Sequence, residues 1–456
     1  MTVYDYLEAH RDDVLRDLIT FASIPSISTD ANYQGEVARA ARWLEQQLRA
    51  AGPLTVEVIQ TERHPIVYAE WLGAPGKPTV LVYGHYDVQP PDPLAKWHTP
   101  PFSPTIRGGR IYARGVSDDK APVLTTVKVA QAYFASEGGL PLNVKFLFEG
   151  EEEIGSPSLE GFIQGRAESL GADFVISADG AMWRADRSSL NVSTRGLAAL
   201  AFSVYGPGKD LHSGRHGGSV ANPLHAAAQL IASLHDENGR VTVKGFYDEV
   251  EALSPAERQG VAELPFEEAA YLAEVGSPAV YGEVGYTTLE RQWHRPTLEV
   301  NGLWGGYQGE GSKTVIPSEA HAKITCRLVP GQDPSVTVQR VIRHLEAHVP
   351  GGVRLEVQVP EYGARAYRLP PQHPGLQAAK AVLRDLYGEE PLMVGVGGTV
   401  PVCEMFRRLL GLDTVFFAFG VGDEDIHSPN EFFRVPRLYE GLEAWARLWA
   451  RLGRGL

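Results

Sequence analysis

Hydrophobic and polar positions follow two rhythms along this chain. Val14, Leu15, Leu18 and Ile19 recur at helical spacing, and Thr2-Val3-Tyr4-Asp5 ahead of them has the form of a capping box. Pro25 ends that helix, and a second, from about Glu36 to Ala51, stops at Gly52-Pro53. Short apolar runs follow at 54–59, 66–72 and 79–83. After a proline-rich loop and a helix reaching about Ser136, two more come at 144–148 and 174–177. Strands and helices in alternation predict an α/β fold with a largely parallel sheet. The rhythm changes near Ser193. Long strands at 197–205, 297–303 and 319–328 combine with a helix opened by Asn222-Pro223 and running to Asp236. A helix at 335–348 and a strand at 353–359 complete a β-α-β-β-α-β outline, that of a ferredoxin-like α+β module. Residues 241–285 read as helical and surface-lying. From Tyr367 the α/β alternation resumes, with helices at 373–387 and 400–410, strands at 392–396 and 414–419, and a closing helix carrying Trp445 and Trp449. The expected organisation is one α/β domain in two parts, 1–193 and 367–456, with the α+β domain, 194–366, inserted into it.

At 456 residues the chain has room for two or three domains, and its 43 % hydrophobic and 21 % charged residues are those of a globular protein. A formal charge of −14 argues against nucleic-acid binding, which rests on basic patches. Only Cys326 and Cys403 occur, with no CxxC, so a reducing compartment is expected. The first 24 residues carry too many charges for a signal peptide, and no uncharged run approaches a membrane span. A cytoplasmic protein with no membrane association is expected.

Chemistry gathers at the ends of the apolar strands, where open α/β sheets place their ligands. His85 and Asp87 follow one strand; Asp118 and Asp119 open a helix; Glu149, Glu151, Glu152 and Glu153 follow another strand; Asp179 and His427 follow two more. Taken singly, an Asp at a helix start is a cap and a glutamate run is a solvated loop. Five such sites on five elements of one domain are less easily coincidental. Imidazole with carboxylate, and no cysteine among the candidates, suits a pair of divalent metals, with zinc favoured and cobalt or manganese as alternatives. In His85-Tyr86-Asp87 the two side chains share a face of an extended backbone. Asp87 is therefore placed to accept the second ring N–H of His85.

These segments resemble the M20 metallopeptidases, a family that includes carnosinase-like dipeptidases, aminoacylases and desuccinylases. The resemblance rests on Gly84-His85-Tyr86-Asp87-Val88-Gln89-Pro90-Pro91, Trp97-His98-Thr99-Pro100-Pro101-Phe102, Gly115-Val116-Ser117-Asp118-Asp119-Lys120, Glu149-Gly150-Glu151-Glu152-Glu153-Ile154-Gly155-Ser156, Asp210-Leu211-His212-Ser213-Gly214 and Arg327-Leu328-Val329-Pro330. It looks strongest toward the dipeptidase branch. It implies a zinc-peptidase-type α/β catalytic domain with an inserted lid and dimerisation domain, and two metal ions per subunit. Asp118 would bridge the metals. His85 and Asp179 would complete one site, and Glu153 and His427 the other. Glu152 would act as general base and then acid on a metal-bridging water, with Asp87 supporting His85. The resemblance also implies a cis bond between Asp118 and Asp119. His212, in the lid, would reach the partner subunit's site and stabilise the oxyanion, so a homodimer through the lid is implied. Arg327 would bind the substrate's C-terminal carboxylate, with Thr314 and Thr399 as lesser contacts. The implied substrates are dipeptides or short peptides with a free C-terminal carboxylate; N-acyl amino acids are the alternative. Ala121 and the run Gly180-Ala181-Met182-Trp183 depart from the family pattern without removing a ligand.

Rival chemistries fail on spacing. Gly306 and Gly311 are set as in a phosphate loop, but Ser312 stands where lysine is required. No Gly-x-Ser-x-Gly elbow for a serine hydrolase occurs.

Overall fold

The structure, a computed structural model, describes residues 1–360 and 363–455. The chain forms two compact units. The first comprises Met1–Val192, Leu369–Val394 and Met405–Leu456, and the second Ser193–Arg368 with Gly395–Glu404.

In the first unit the N-terminal helix is two, α1 (Val3–Ala9) and α2 (Arg11–Ala22), broken at His10. The Thr2–Asp5 capping box is formed, with each side chain meeting the other's backbone N–H. α3 (Gln34–Ala51) follows, then β1 (Thr55–Ile59), β2 (Ile66–Trp71) and β3 (Thr79–His85). α4 (Ala121–Glu137) is apolar on nearly every side, which is why it lies enclosed rather than on the surface. β4 (Asn143–Glu149), α5 (Leu159–Leu170) and β5 (Phe174–Ser177) come next. The sheet has six strands in the order β1-β2-β4-β3-β5 and then Thr414–Phe416. Pairs from β4 to Thr414–Phe416 are parallel, whereas β1 and β2 add an antiparallel edge. β4 and β3 lie inside, buried on both faces, so their sequences read as continuous apolar runs. The expected strand 414–419 ends at Phe416; Gly420–Val421 instead pairs with Ala181–Met182. The closing helix, Val435–Leu452, buries Trp445 and Trp449, and Trp445 meets Phe417 edge to face at 5.4 Å.

The second unit contains β6 (Gly196–Tyr205), α6 (Pro223–Ala232), β7 (Thr297–Gly305), β8 (Glu319–Leu328), α7 (Pro334–His348) and β9 (Arg354–Gln358). They form a four-stranded antiparallel sheet in the order β7-β8-β6-β9. Burial alternates along β8: Ala320, Ala322, Ile324, Cys326 and Leu328 face the core that α6 and α7 cover, while Thr325 and Arg327 face the other way. α6 stops at Ala232, short of Asp236. Residues 241–285 differ most from expectation. Only Pro255–Ala262 and Glu268–Val275 are helical, and Val241, Val243 and Phe246 pack into the unit's core rather than lying on its surface. Hydrophobic spacing could not show this, because outside those two short helices the segment is turns and irregular backbone. No helix is long and apolar enough to cross a membrane among the described residues.

The glutamate run after β4 also departs from the solvated-loop reading. Glu149 and Glu151 are 1 % and 2 % exposed. Glu149 Oε1 accepts hydrogen bonds from the hydroxyls of Tyr83 (2.7 Å) and Ser156 (2.9 Å). Glu151 accepts from Thr61 Oγ1, His64 N, Ser158 N and Ser158 Oγ at 2.8–3.0 Å, so it ties the turn to a distant loop. Both are structural.

Burial pushes the Glu149 carboxyl from its ordinary 4.5 up to about 8, against the pull of its Tyr83 and Ser156 hydrogen bonds. A raised folded-state pKa contributes stability that is complete below the ordinary value and is lost as pH rises through about 8. Urea unfolding across this window checks it. Wild type should lose stability relative to Glu149→Gln by at most roughly 1.4 kcal/mol per pH unit. Glu149→Ala should cost about 1–3 kcal/mol at the acidic end, because two buried hydroxyls lose their acceptor.

Candidate metal centre

His85 ends β3 and is fully buried. Its Nε2 lies 3.0 Å from Asp118 Oδ1. Its Nδ1 lies 3.2 Å from the carbonyl oxygen of Asp87 and 3.4 Å from Asp87 Oδ1, as the His-x-Asp spacing predicts. Asp87 does more. Its Oδ1 accepts from the backbone N–H of Glu152 (3.2 Å) and its Oδ2 from that of Glu153 (3.1 Å). One buried carboxylate thus fixes the His85 ring and the turn bearing both glutamates. Gly84 makes room for this approach, since a Cβ there would lie 2.7 Å from Asp119 Oδ2, which accepts the His85 N–H at 3.2 Å.

Asp118 sits between the two imidazoles. Its Oδ1 faces His85 and its Oδ2 faces His427 Nε2, also at 3.0 Å. The Asp118–Asp119 peptide bond is cis. His427 Nε2 is 3.3 Å from Glu153 Oε2, which also accepts from Gln89 Nε2 at 2.8 Å. The turn before Asp118 opens at Gly115, where φ is 76° and a Cβ would fall 2.0 Å from Val88 Cγ1. His427 itself has a positive φ of 60°, an uncommon backbone state for a side chain of its size, on a loop where Asp425 and Asn430 are also left-handed.

Glu431 holds that loop, and the sequence pattern gave it no role. It is 1 % exposed. Its Oε2 accepts from Arg114 Nη1 (2.7 Å) and Gly115 N (2.8 Å), and its Oε1 from Ser117 N (3.0 Å) and Asp118 N (3.2 Å). Arg114 Nη2 also donates to the carbonyl oxygen of Ser428, the residue after His427. Alongside, buried Glu424 accepts from Ser117 Oγ at 2.6 Å. Neither Arg114 nor Glu431 falls within the motifs, and residues more than 300 positions apart cannot be matched from spacing.

Two overlapping groups result, His85–Asp118–Asp179 and Asp118–Glu153–His427. Within each, one donor atom per residue lies within 4.8 Å of the others. The electrostatics suit cations. Burial raises Asp179 to about 6 and also raises Glu153. Burial raises Glu152 well above the ordinary carboxylate value, and Asp179 and Glu153 add to this against the pull of His85. Burial would raise Asp118 too, but hydrogen bonds from His427 and His85 hold it below the usual range. Hydrogen bonds to Asp118 and Glu153 lift His427 to about 10. Two imidazoles cannot balance this many carboxylates, and a shared carboxylate with one oxygen toward each group is the form of a bridge between two metals. The donor set, imidazole and carboxylate without thiolate, fits borderline divalent ions. The side-chain oxygens of Glu152 make no hydrogen bond among the described residues.

The other expected residues lie in the second unit, in two pairs. His212 lies in, and Thr314 just before, a short two-stranded ladder in which Leu211–His212 pairs with Val315–Ile316, and the Ser213 N–H donates to the Thr314 carbonyl at 3.0 Å. His212 Nδ1 accepts the Gly214 N–H at 2.9 Å, which leaves its exposed ring directed by the turn. Arg327 Nη1 donates to Thr399 Oγ1 at 2.8 Å.

Residues 81–451 match the description of peptidase family M20/M25/M40. The human Beta-Ala-His dipeptidase is 29 % identical over 99 % of this chain and 92 % of its own length. A Cys-Gly metallodipeptidase of Saccharomyces cerevisiae is 28 % identical over 98 % of this chain and 96 % of its own. Among solved structures, an M20 family metallo-carboxypeptidase from Sulfolobus solfataricus superposes with a TM-score of 0.84 at 32 % identity, covering 97 % of this chain and 99 % of that one. The chain is a metallopeptidase that belongs to the M20/M25/M40 family, in the branch of the carnosinase-like and Cys-Gly dipeptidases.

Proposed function

We propose that the protein hydrolyses the amide bond of dipeptides or short peptides that carry a free C-terminal carboxylate. The observation that carries this is the Asp118 carboxylate facing two imidazoles, each completed by a further carboxylate. His85, Asp118 and Asp179 would hold one divalent ion, and Asp118, Glu153 and His427 the other, with zinc favoured over cobalt or manganese by the donor set. Bound metals would supply Lewis-acid polarisation and an acidified water. Glu152, whose carboxyl burial already raises, takes a proton from the attacking water and returns it to the leaving amine. Asp87 keeps the His85 ring and the Glu152–Glu153 turn in place. Arg327 takes the C-terminal carboxylate beside Thr399, with Thr314 as a further contact. The dipeptides named for the human and yeast relatives support this substrate class.

The α/β unit is read as the zinc-peptidase-type catalytic domain, and the second unit as a ferredoxin-like lid and dimerisation domain, in keeping with its strand order. A homodimer would let His212 serve its partner's site as an oxyanion donor. Edge strand β7 supports pairing through the lid, since it exposes Val300, Leu303 and Trp304. Only two cysteines occur and both are buried, which supports a reducing, cytoplasmic setting.

Glu152→Gln should keep the bound metal but lower kcat by about 10²–10⁴-fold, measured on a metal-quantified sample. A panel of dipeptides, tripeptides and N-acyl amino acids read by mass spectrometry should show dipeptide cleavage; cleavage of acyl amino acids alone would make the protein a deacylase. Arg114→Met should leave the chain folded but weaken metal affinity roughly 10–100-fold in chelator competition, because Glu431 and the His427 loop lose their anchor. Sedimentation should give a particle of twice the 49.8 kDa chain mass.

A further inference from the structure

A cavity of about 780 Å³ lies wholly within the second unit, on the open face of its sheet and under the segment 271–301. Four arginines and only two glutamates line it, in a chain whose net charge is −14. Two of the arginines are accounted for. Arg295 makes a two-pronged pair with Glu283, at 2.7 and 2.8 Å, and Arg291 donates to backbone carbonyls of Glu283 and Tyr281. The other two, Arg195 and Arg327, meet no carboxylate among the described residues. Arg195 Nε donates to the carbonyl oxygen of Gly397 at 2.9 Å and Arg327 Nη1 to Thr399 Oγ1, so both lean on the same short loop. The fold sets them near one another. Leu197 pairs with Arg327, Arg195 immediately precedes that strand, and both guanidiniums line the cavity closely enough for the charge of Arg327 to act on Arg195. Burial, and then the charge of Arg327, lower Arg195 to about 10. Glu299, exposed on the neighbouring strand, opposes this through its charge but makes no ion pair with either arginine.

Two adjacent guanidiniums, partly withdrawn from water and with no carboxylate in contact among the described residues, are costly unless an anion joins them. A single carboxylate balances one of them; a ligand with two carboxylates a few bonds apart balances both. We propose that Arg195 and Arg327 form a dicarboxylate subsite that favours peptides whose C-terminal residue has an acidic side chain. The α-carboxylate lies on Arg327 and the side-chain carboxylate on Arg195, which makes Arg195 a specificity-determining residue. The peptide part of this rests on the function proposed above; the dicarboxylate part does not.

The test compares glutarate with butyrate by calorimetry on the purified protein, and Ala-Glu with Ala-Gln by steady-state kinetics. Glutarate should bind roughly tenfold or more tightly than butyrate, and Ala-Glu should show a KM lower than Ala-Gln by a similar factor. Arg195→Met should remove both differences while leaving kcat for Ala-Gln near wild type, and Arg195→Lys should restore part of them. Equal binding of glutarate and butyrate would overturn the subsite. So would an Arg195→Met protein that loses both peptides equally, the signature of an arginine that only holds the Gly397–Thr399 loop. Should that variant fail to fold, the wild-type glutarate comparison decides alone. Glutarate preference without cleavage of any dipeptide would sink the peptidase proposal and keep the subsite; cleavage of both peptides with no glutarate preference would do the reverse.

Discussion

A carboxylate has two oxygens, and at Asp118 each serves a different imidazole. The rest of the first unit is arranged so that this can happen. His85 comes from the end of an inner strand and His427 from a loop more than 300 residues later. Asp118 itself comes from a turn that Gly115 opens in a left-handed conformation. None of these positions is self-supporting. Asp87 orients the first imidazole, and the Arg114–Glu431 pair docks the loop bearing the second. The two supporting carboxylates, Asp87 and Glu431, are buried and each accepts from two or more donors. A buried ion pair is weak evidence of stability in its own right, because desolvation offsets much of the attraction. Here it fixes geometry, which a metal centre needs more than it needs net stability.

The same logic divides the glutamate run into two functions. Glu149 and Glu151 face hydroxyls and backbone N–H groups that satisfy them, and so hold the strand end and the turn. Glu152 and Glu153 sit on the one-turn helix that follows, with backbone N–H groups fastened to Asp87 and side chains left for chemistry. Burial raises the carboxyls of Glu149, Glu152 and Glu153, and the neighbouring carboxylates add to this unless positive charge joins them. That is the electrostatic basis of the cation site. It also explains why the acid with the fewest partners, Glu152, is the one suited to moving protons.

The second unit handles charge in the opposite way. Its sheet buries one face against two helices and leaves the other polar, with arginines rather than acids collected over it. An apolar core beneath and a cationic cavity above place anion recognition on a rigid strand. A guanidinium held there loses little further entropy when it meets a carboxylate.

The sequence by itself determined the architecture and the donor set. Period-2 and period-3.6 patterns located the α/β alternation and its interruption. The polar residues at strand ends, with the family resemblance they carry, singled out His85, Asp118, Glu152, Glu153, Asp179 and His427. These signals are local: a strand end and the few residues after it. Tertiary structure decided the rest, for reasons that spacing cannot encode. Whether Glu149 and Glu151 face water or protein depends on Thr61, His64 and Tyr83, which other segments bring to them. Glu431 gains its role only because folding sets it beside Arg114. Val241, Val243 and Phe246 join a core through a run of turns with no periodicity to read. Arg195 looks like any polar residue before a strand until folding sets it beside Arg327 in one cavity, with no carboxylate of the described residues in contact with either.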